Sequence, residues 1–541
     1  MKKKKIKNRN QTYDMDDRNK MSQSKKKKKK KKLSTHFYWI VLLISCIVFM
    51  LTFFRMPMFP KSWKMLVLFL LAILLIGTGI FTSAFRKSSF QKSINIVLSL
   101  ILFVGSVLLP YEEAKVSSLF NALSGNVVRI NLYVMKQEYR DAHSDLFTNA
   151  FVVPEEGDTI DIANYADARF GSMVSVDLED QNYALKEINE KCGKTVQVVD
   201  RETIGEAAEQ LYHNHVDIMI MADSYASVLS DMAGYETFEQ DTQIIGTIER
   251  TIQNSAAETV KVPMTRKPFT IFIGGNDQTG SLSLKGRTDV DMTVTVNPNT
   301  HQIAMINLPR DSFIPNPEYD GELDKLTHLG LSGLDNTMKG IGEVLDVDVQ
   351  NYILVNFDTF MMIIDALDGI TIENPYAFKA IDGQFFDQGP LHLNSVQALM
   401  YVRERKNLPD GDFGRNMHQQ IVLEALIDKI TSPDGILAFN KILNQVKDYF
   451  LTNIASDSMY ALIQKQLDEK ISWNIVKYHI EGTTGMEYCA SVPGQALSVV
   501  YPYPNQIAFA KRVVDAVVDG DILTQEEMPE GSFNTDSDTD S

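Results

Sequence analysis

Phe269-Thr270-Ile271-Phe272-Ile273-Gly274-Gly275-Asn276-Asp277 is an apolar, β-branched run closed by two glycines and an aspartate. Such a run reads as a sheet strand, here over Phe269–Ile273, ending in a turn. Asp277 then stands at the strand's carboxyl end, where open α/β sheets place their ligand crevices, and the glycines let backbone approach a ligand there. Two later stretches repeat the arrangement. Arg287-Thr288-Asp289 stands just before a strand expected at Met292–Val296, and Pro309-Arg310-Asp311 ends one expected at Ile303–Leu308. Three strand ends thus bring Asp277, Asp289 and Arg310 to one place. A glycine turn with an aspartate is common, but convergence of separate elements is harder to explain as chance.

Five arginines lie between Lys267 and Thr431, and all sit in blocks with carboxylates: Arg287, Arg310, Arg403, Arg405 and Arg415. Guanidinium grips phosphate through two parallel hydrogen bonds, and aspartates close to phosphate suit a divalent cation. Arg403 and Arg405 close a helix expected at Ser395–Arg405, which Asn394 or Ser395 caps. Residues two apart do not face together on a regular helix. A shared anion therefore needs a frayed last turn, and Leu408-Pro409 demands a break nearby. Asp412-Phe413-Gly414-Arg415 opens a helix expected at Asn416–Ile430, with Arg415 and Gln419 on one face. An arginine in a first turn opposes the helix dipole, while a helix N-terminus favours an anion. The competing readings are an ion pair between Arg287 and Asp289, two apart in extended backbone, and a dipole-favoured charge at Arg403 and Arg405.

Around these blocks the chain alternates. Strands are expected at Tyr352–Val355, Ile370–Glu373 and around Ile475–Ile480. Helices are expected at Leu334–Leu345, Thr359–Leu367, Ser456–Glu469 and Asn505–Val518, with a further element at Ile436–Phe450. This is an α/β core with helices packed over the sheet. Residues 111–265 read as a smaller α/β domain, with strands Val127–Met135, Thr195–Val199 and Val216–Met221 and helices Tyr183–Lys191 and Ile204–Tyr212. His213-Asn214-His215 reads as a solvated turn rather than a metal site. Lys261–Pro268 reads as a linker, residues 266–518 as the second domain, and residues 519–541 as an acidic, disordered tail. Cys192 and Cys489 allow one disulfide at most, so ordinary cores must hold these domains.

Charge is unevenly placed. Residues 1–110 hold 22 Lys and Arg against 3 Asp and Glu; the remainder holds 31 against 66. An acidic body does not suit a nucleic-acid binder. The basic head, residues 1–36, contains eight consecutive lysines at 25–32. It reads as a cytoplasmic anchor, because three apolar stretches follow within residues 37–110: Phe37–Phe54, Met65–Phe85 and Ile94–Leu109. Each approaches the ~20 residues that cross a bilayer, and Trp39 and Trp63 lie near segment ends. A cytoplasmic head and three spans place residues 111–541 outside the cell.

Residues 269–431 resemble the LytR-CpsA-Psr family. The resemblance rests on the glycine–aspartate strand end, the Arg287-x-Asp289 block, Leu308-Pro309-Arg310-Asp311 and Val355-Asn356-Phe357. It continues through Ile364-Asp365-Ala366-Leu367-Asp368-Gly369, Ala398-Leu399-Met400-Tyr401-Val402-Arg403-Glu404-Arg405, and Gly411-Asp412-Phe413-Gly414-Arg415 with Gln419-Gln420. Three spans and an inserted outer domain look like the capsule-linked branch. The resemblance implies a membrane-anchored α/β fold with helices on both faces of a mixed sheet. It implies transfer of a glycopolymer, of capsular polysaccharide or wall teichoic acid type, from a polyprenyl pyrophosphate carrier to peptidoglycan through a phosphodiester. Mg²⁺ or Mn²⁺ assists. By matching positions Asp277 and Asp289 hold the metal, Arg287, Arg310, Arg403, Arg405 and Arg415 grip the pyrophosphate, and Gln419 supports the head group. Arg310 is catalytic as well, with Asp277 or Asp311 as the base that takes a proton from the attacking hydroxyl. Leu399, Val402, Val422 and Leu426 line a lipid groove or belong to plain core. Two positions depart from the family pattern: His418 stands where arginine is common, and Asp368 where glycine is common, the latter read as structural. A hydrolase of the same lipid, or a non-catalytic binder regulating wall-polymer synthesis, would use the same arginines. A transporter is disfavoured, since the spans offer no polar pathway.

Overall fold

Three helices open the described chain: α1 (Thr35–Arg55), α2 (Lys61–Ala84) and α3 (Ser89–Ala122). The computed structural model describes residues 34–528, apart from 57–60, 86–87, 123–126, 156–159, 252–262, 277–281, 410, 433–434, 436–441, 443–444 and 447–449. The basic head and most of the acidic tail therefore lie outside the described residues, as does most of the element expected at Ile436–Phe450. Stretches Thr35–Arg55, Trp63–Ala84 and Ser89–Tyr111 are each long and apolar enough to cross a membrane. Their outward surface is largely Leu, Ile, Val and Phe. Inside, Leu42, Cys46 and Leu102 form a small core, and Gln91, Asn95 and Thr82 bond one another at 3.3–3.5 Å. Polar side chains between apolar helices satisfy each other rather than face lipid.

The next part forms a five-stranded sheet from β1 (Val127–Met135), β2 (Arg169–Met173), β3 (Gln197–Arg201), β4 (Ile218–Ala222) and β5 (Thr242–Thr251), in the order β3-β2-β4-β1-β5. β2 is parallel to both its neighbours, while β1 is antiparallel to β4 and β5. Helices α4 (Leu178–Cys192), α5 (Ile204–Tyr212) and the short α6 (Ala226–Ser230) connect them. β4, Ile-Met-Ile-Met-Ala, is buried throughout, as a central strand covered on both faces must be. α5 starts where Thr203 and Glu206 close a reciprocal cap. β5 escapes the sequence reading because Gln243, Thr247, Glu249 and Arg250 interrupt its apolar positions.

The second sheet contains β6 (Phe269–Asn276), β7 (Val290–Asn297), β8 (Gln302–Leu308), β9 (Asn351–Asn356), β12 (Phe450–Thr452) and β13 (Asn474–His479). Between β9 and β12, β10 (Ile370–Asn374) and β11 (Gly389–Leu393) form a separate antiparallel pair. The strand order is β12-β9-β6-β7-β8-β13. β9 is parallel to β6 and β13 to β8, while the β6–β7 and β7–β8 pairs are antiparallel. This is the mixed α/β sheet the sequence implies. Side-chain alternation builds its two faces. Phe272, Ala304, Ile306 and Leu308 pack under α7 (Leu334–Leu345) and, beyond it in the chain, Pro504–Asp519. Phe269, Met292, Val294 and Met305 pack on the other face, with Leu423 and Ile427 of a long helix over them. Helices thus cover both faces. The intervening helices are α8 (Phe357–Ala366), α9 (Ser395–Arg403) and α10 (Gly411–Thr431). After α8, Asp368 has φ +58° and Gly369 φ +81°; aspartate tolerates this left-handed turn, so Asp368 is structural.

A hairpin follows that periodicity misses, β14 (Gly482–Cys489) paired with β15 (Val492–Pro502). Its Cys489, Val492, Leu497 and Val499 join Leu331 in the core of the first sheet. Residues from Ala114 onward form one compact unit, so the boundary expected near residue 265 is not a break in packing. Cys192 and Cys489 are both free thiols.

Candidate active site

The arginine blocks meet at one edge of the second sheet. β6 ends there at Asn276, β7 begins there at Val290, and β8 ends there at Leu308. Register fixes this: Gly275 lies opposite Val290, and Asp291 opposite Leu308. Asp289 N–H donates to the Gly275 carbonyl at 2.7 Å, extending the ladder by one residue. Asn276 Nδ2 holds the Arg287 carbonyl at 3.1 Å. Gly274 and Gly275 serve packing rather than ligand approach. A Cβ on Gly274 would meet Leu354 Cδ1 at 2.7 Å, and one on Gly275 would meet Val290 Cγ2 at 2.8 Å.

Arg310 is at the centre. Its Nη1 bonds Asp289, and its Nε lies 3.9 Å from Asp311. Burial disfavours its charge, but Asp289 and Asp311 outweigh that and hold it firmly protonated. Asp311 in turn receives Lys325 Nζ at 3.2 Å. Burial pushes the Asp311 carboxyl up, yet Lys325 and Arg310 pull it below the usual range. It is a bound counter-charge, a weak candidate for the base the sequence reading offered. Lys325 was missed. Its only signal is a lone lysine in Leu323-Asp324-Lys325-Leu326, and nothing local says that it is 4% exposed.

Arg287 and Asp289 do not pair with each other: Arg287 Nη2 reaches Asp231 at 2.7 Å instead. Arg415 Nη2 lies 2.8 Å from Asp412, and Arg405 Nε reaches the same oxygen at 3.4 Å. Burial lowers the Arg415 pKa, and Arg310 adds to that. α9 ends at Arg403, as fraying requires, because Glu404 turns inward. Its carboxylate accepts the N–H groups of Ile381 at 2.6 Å and of Arg405 and Asn407 at 3.0 Å. Arg405 is thereby freed from the helix. Arg403 instead lies over the Phe357 ring at 4.4 Å; among the described residues it shares no carboxylate with the other four. Gln419 accepts from Asn307 Nδ2 of β8 at 3.3 Å, at the same sheet edge.

Several buried donors here lack a hydrogen-bond partner among the described residues: Arg287 Nη1, Arg310 Nε and Arg415 Nε. Orphaned cationic N–H groups are costly, and three aimed from separate elements form an anion site in waiting. Asp291, beneath them, was also missed: it is 1% exposed, and burial pushes it up to about 8. Its Oδ1 accepts from Thr288 Oγ1 at 2.5 Å, and its Oδ2 has no partner among the described residues. Carboxylate oxygens are the donors a hard divalent cation takes, so Asp289 and the orphaned Asp291 oxygen fit the implied ion. Asp277 lies outside the described residues.

Other expected positions are core. Val422 is 2% and Leu426 9% exposed, while Leu399 and Val402 are half-buried. His418 stacks on Tyr401 at 4.0 Å and its Nδ1 meets the Tyr401 carbonyl at 3.0 Å. Burial drops its pKa to about 4, so it is a neutral core ring rather than a phosphate ligand. His213 is held by the Glu209 carbonyl at 3.0 Å, as a turn residue. Asp324, His328 and Cys489 cluster within 4.8 Å of one another. Burial pushes the thiol up to about 12, and Asp324 already accepts from Asn316, Lys325 N–H and Ser491 N–H. The cluster staples the hairpin to the site's floor.

Gly330 sets the height of Arg287. Its carbonyl receives Gly286 N–H at 2.8 Å, and a Cβ there would lie 2.1 Å from the Gly286 carbonyl oxygen. Gly330→Ala is expected to cost about 1–3 kcal/mol, as overpacking does, with a lowered Tm and weaker anion binding.

A model described as the LytR_cpsA_psr family matches residues 233–500. A curated relative from Bacillus subtilis (strain 168), named polyisoprenyl-teichoic acid–peptidoglycan teichoic acid transferase TagU, is 32% identical over 252 residues, which is 46% of this chain and 80% of the relative. The chain belongs to the LytR-CpsA-Psr family. The TagU of Bacillus licheniformis is 33% identical over 216 residues, 40% of this chain and 69% of its own. A crystal structure of B. subtilis TagV is 28% identical, covering 47% of this chain and 98% of that one, with a TM-score of 0.39. The matched family region takes in every arginine block and all but the last two residues of the hairpin, and begins two residues after Asp231.

Proposed function

We propose that this LytR-CpsA-Psr protein is a membrane-anchored transferase that moves a glycopolymer from a polyprenyl pyrophosphate carrier to peptidoglycan. The observation that carries the reading is the set of orphaned guanidinium donors of Arg287, Arg310 and Arg415 at one sheet edge. A pyrophosphate offers oxygens enough to satisfy all three. The relatives' name, polyisoprenyl-teichoic acid–peptidoglycan teichoic acid transferase, supports the class of polymer and the acceptor. In this reading the basic head is cytoplasmic by the positive-inside rule, and with three spans the site is outside. No ATP is available there, so the energy arrives in the substrate's pyrophosphate bond.

Phosphoryl transfer needs positioning and charge neutralisation more than covalent help. A hydroxyl oxygen of peptidoglycan attacks the phosphorus that carries the polymer, the bridging P–O bond breaks, and polyprenyl phosphate leaves. The hydroxyl proton passes to a base, for which Asp277 is the remaining candidate. Arg287, Arg310 and Arg415 grip the pyrophosphate, Arg405 stands beside Arg415 on the shared Asp412, and Gln419 supports the head group. Mg²⁺ or Mn²⁺ held by Asp277 and Asp289, with the Asp291 oxygen left unpartnered among the described residues, would neutralise phosphate charge. Leu399 and Val402 flank the lipid, with Val422 and Leu426 behind them.

The test is product analysis with the full chain in lipid nanodiscs, a lipid-linked polymer and peptidoglycan. A new phosphodiester between polymer and peptidoglycan is expected, lost on chelation and restored by Mg²⁺. Free polymer without a linkage would replace transfer by hydrolysis.

A further inference from the structure

The phosphate site borrows a residue from the first sheet. Asp231 follows α6, within the part expected to be a separate domain, and its Oδ2 lies 2.7 Å from Arg287 Nη2. Its own backbone N–H is tied to the Val228 carbonyl at 3.1 Å. The contact uses one nitrogen only. Arg287 Nη1 stays buried and without a hydrogen-bond partner among the described residues. A carboxylate standing in for substrate would take both fork nitrogens, as carboxylates do with arginine. Asp231 leaves one fork arm open.

The segment bearing Arg287 is already fixed at its backbone. Lys285, two residues earlier, is locked by Asp177 and Asp180, and Asn276 holds the Arg287 carbonyl. What remains free in such an arginine is a long side chain with several rotatable bonds. We infer that Asp231 is a positioning residue, holding Nη2 of Arg287 so that Nη1 faces the incoming pyrophosphate. The inference rests on the proposed function. It gives residues 114–251 a part in substrate binding that the family region alone does not supply.

The probe is farnesyl pyrophosphate, titrated calorimetrically into the full chain in nanodiscs. Asp231→Ala is expected to weaken binding about tenfold, the scale of a lost hydrogen bond to a charged group. Asp231→Asn, which keeps an acceptor for Nη2, restores most of the affinity. In an Arg287→Ala background, Asp231→Ala has no further effect. Asp231 is 37% exposed, so an unchanged Tm accompanies these shifts. Tighter or unchanged binding by Asp231→Ala overturns the inference and makes Asp231 a competitor or a bystander. An equal loss on the Arg287→Ala background overturns it too. Wild-type protein that does not bind the probe overturns the proposed function, and this inference falls with it. Wild-type binding that Arg310→Ala abolishes keeps that function whatever Asp231 does.

Discussion

Arg310→Ala is expected to reduce polymer transfer about 10²–10³-fold, as removal of a preorganised donor at a developing charge does. Among the described residues Arg310 is the guanidinium that lies between Asp289 and Asp311, bonding the first and facing the second. The strand that ends two residues before it is buried end to end, and the Arg310 carbonyl receives Thr327 N–H at 2.9 Å, so its backbone is held at both sides. Alanine leaves Asp289 facing the phosphates uncompensated, which adds repulsion to the lost grip. Asp311 keeps Lys325, 3.2 Å away, and the fold survives. Arg310→Lys retains the charge but not the planar fork, and should fall between the two. The measurement is kcat/KM for transfer, with farnesyl pyrophosphate binding alongside. Full activity in Arg310→Ala would remove the central element of the mechanism.

The second large effect is on stability. Lys285 lies between Asp177 and Asp180, both carboxylates 1% exposed. Lys285→Met leaves them buried together, with Arg250 still on Asp180 at 2.5 Å. Breaking a buried pair in this way costs about 3–5 kcal/mol, read as a lower Tm and faster proteolysis around residues 127–251. Protonation limits the loss. Asp177 already stands at about 7, pushed up by burial and restrained by Lys285; without the lysine it climbs further. A carboxyl raised in the folded state costs nothing below its unfolded pKa and progressively more as pH rises toward the folded value. The defect should therefore be larger at pH 8 than at pH 5. An equal defect at both would mean that Lys285 acts through packing of its stem.

The sheet edge was legible because three runs, at Phe269, Val290 and Ile303, have patterns that fix where each strand stops. Arg310 and Asp289 follow from those stops. The end of α9 was legible too, since Leu408-Pro409 forces a break and lets Arg405 leave the helix. Arg403 was not, because its partner Phe357 lies more than forty residues away. Asp231 is hidden by a similar distance from Arg287, and Lys325, fourteen residues from Asp311, by neighbours that give no hint of a phosphate site. Val422 and Leu426 carry the apolar spacing of both a groove and a core, and only packing separates the two. The hairpin β14–β15 escaped because Gly482, Thr483, Thr484 and Gly485 leave β14 without an apolar face, and Pro493, Gly494 and Gln495 interrupt the apolar run of β15. The hairpin also crosses the boundary expected near residue 265, since Cys489, Val492, Leu497 and Val499 reach back to the first sheet.

That hairpin sets an order of assembly. Chains fold from the end that emerges first, and β1–β5 are made long before Cys489, Val492, Leu497 and Val499 exist to complete their core. The first sheet must wait, partly uncovered, while over two hundred residues follow it. Closure over such a span is slow. The part of the protein from β1 onward therefore matures as a whole, and a truncation before residue 482 should strand the first sheet as surely as it removes the hairpin.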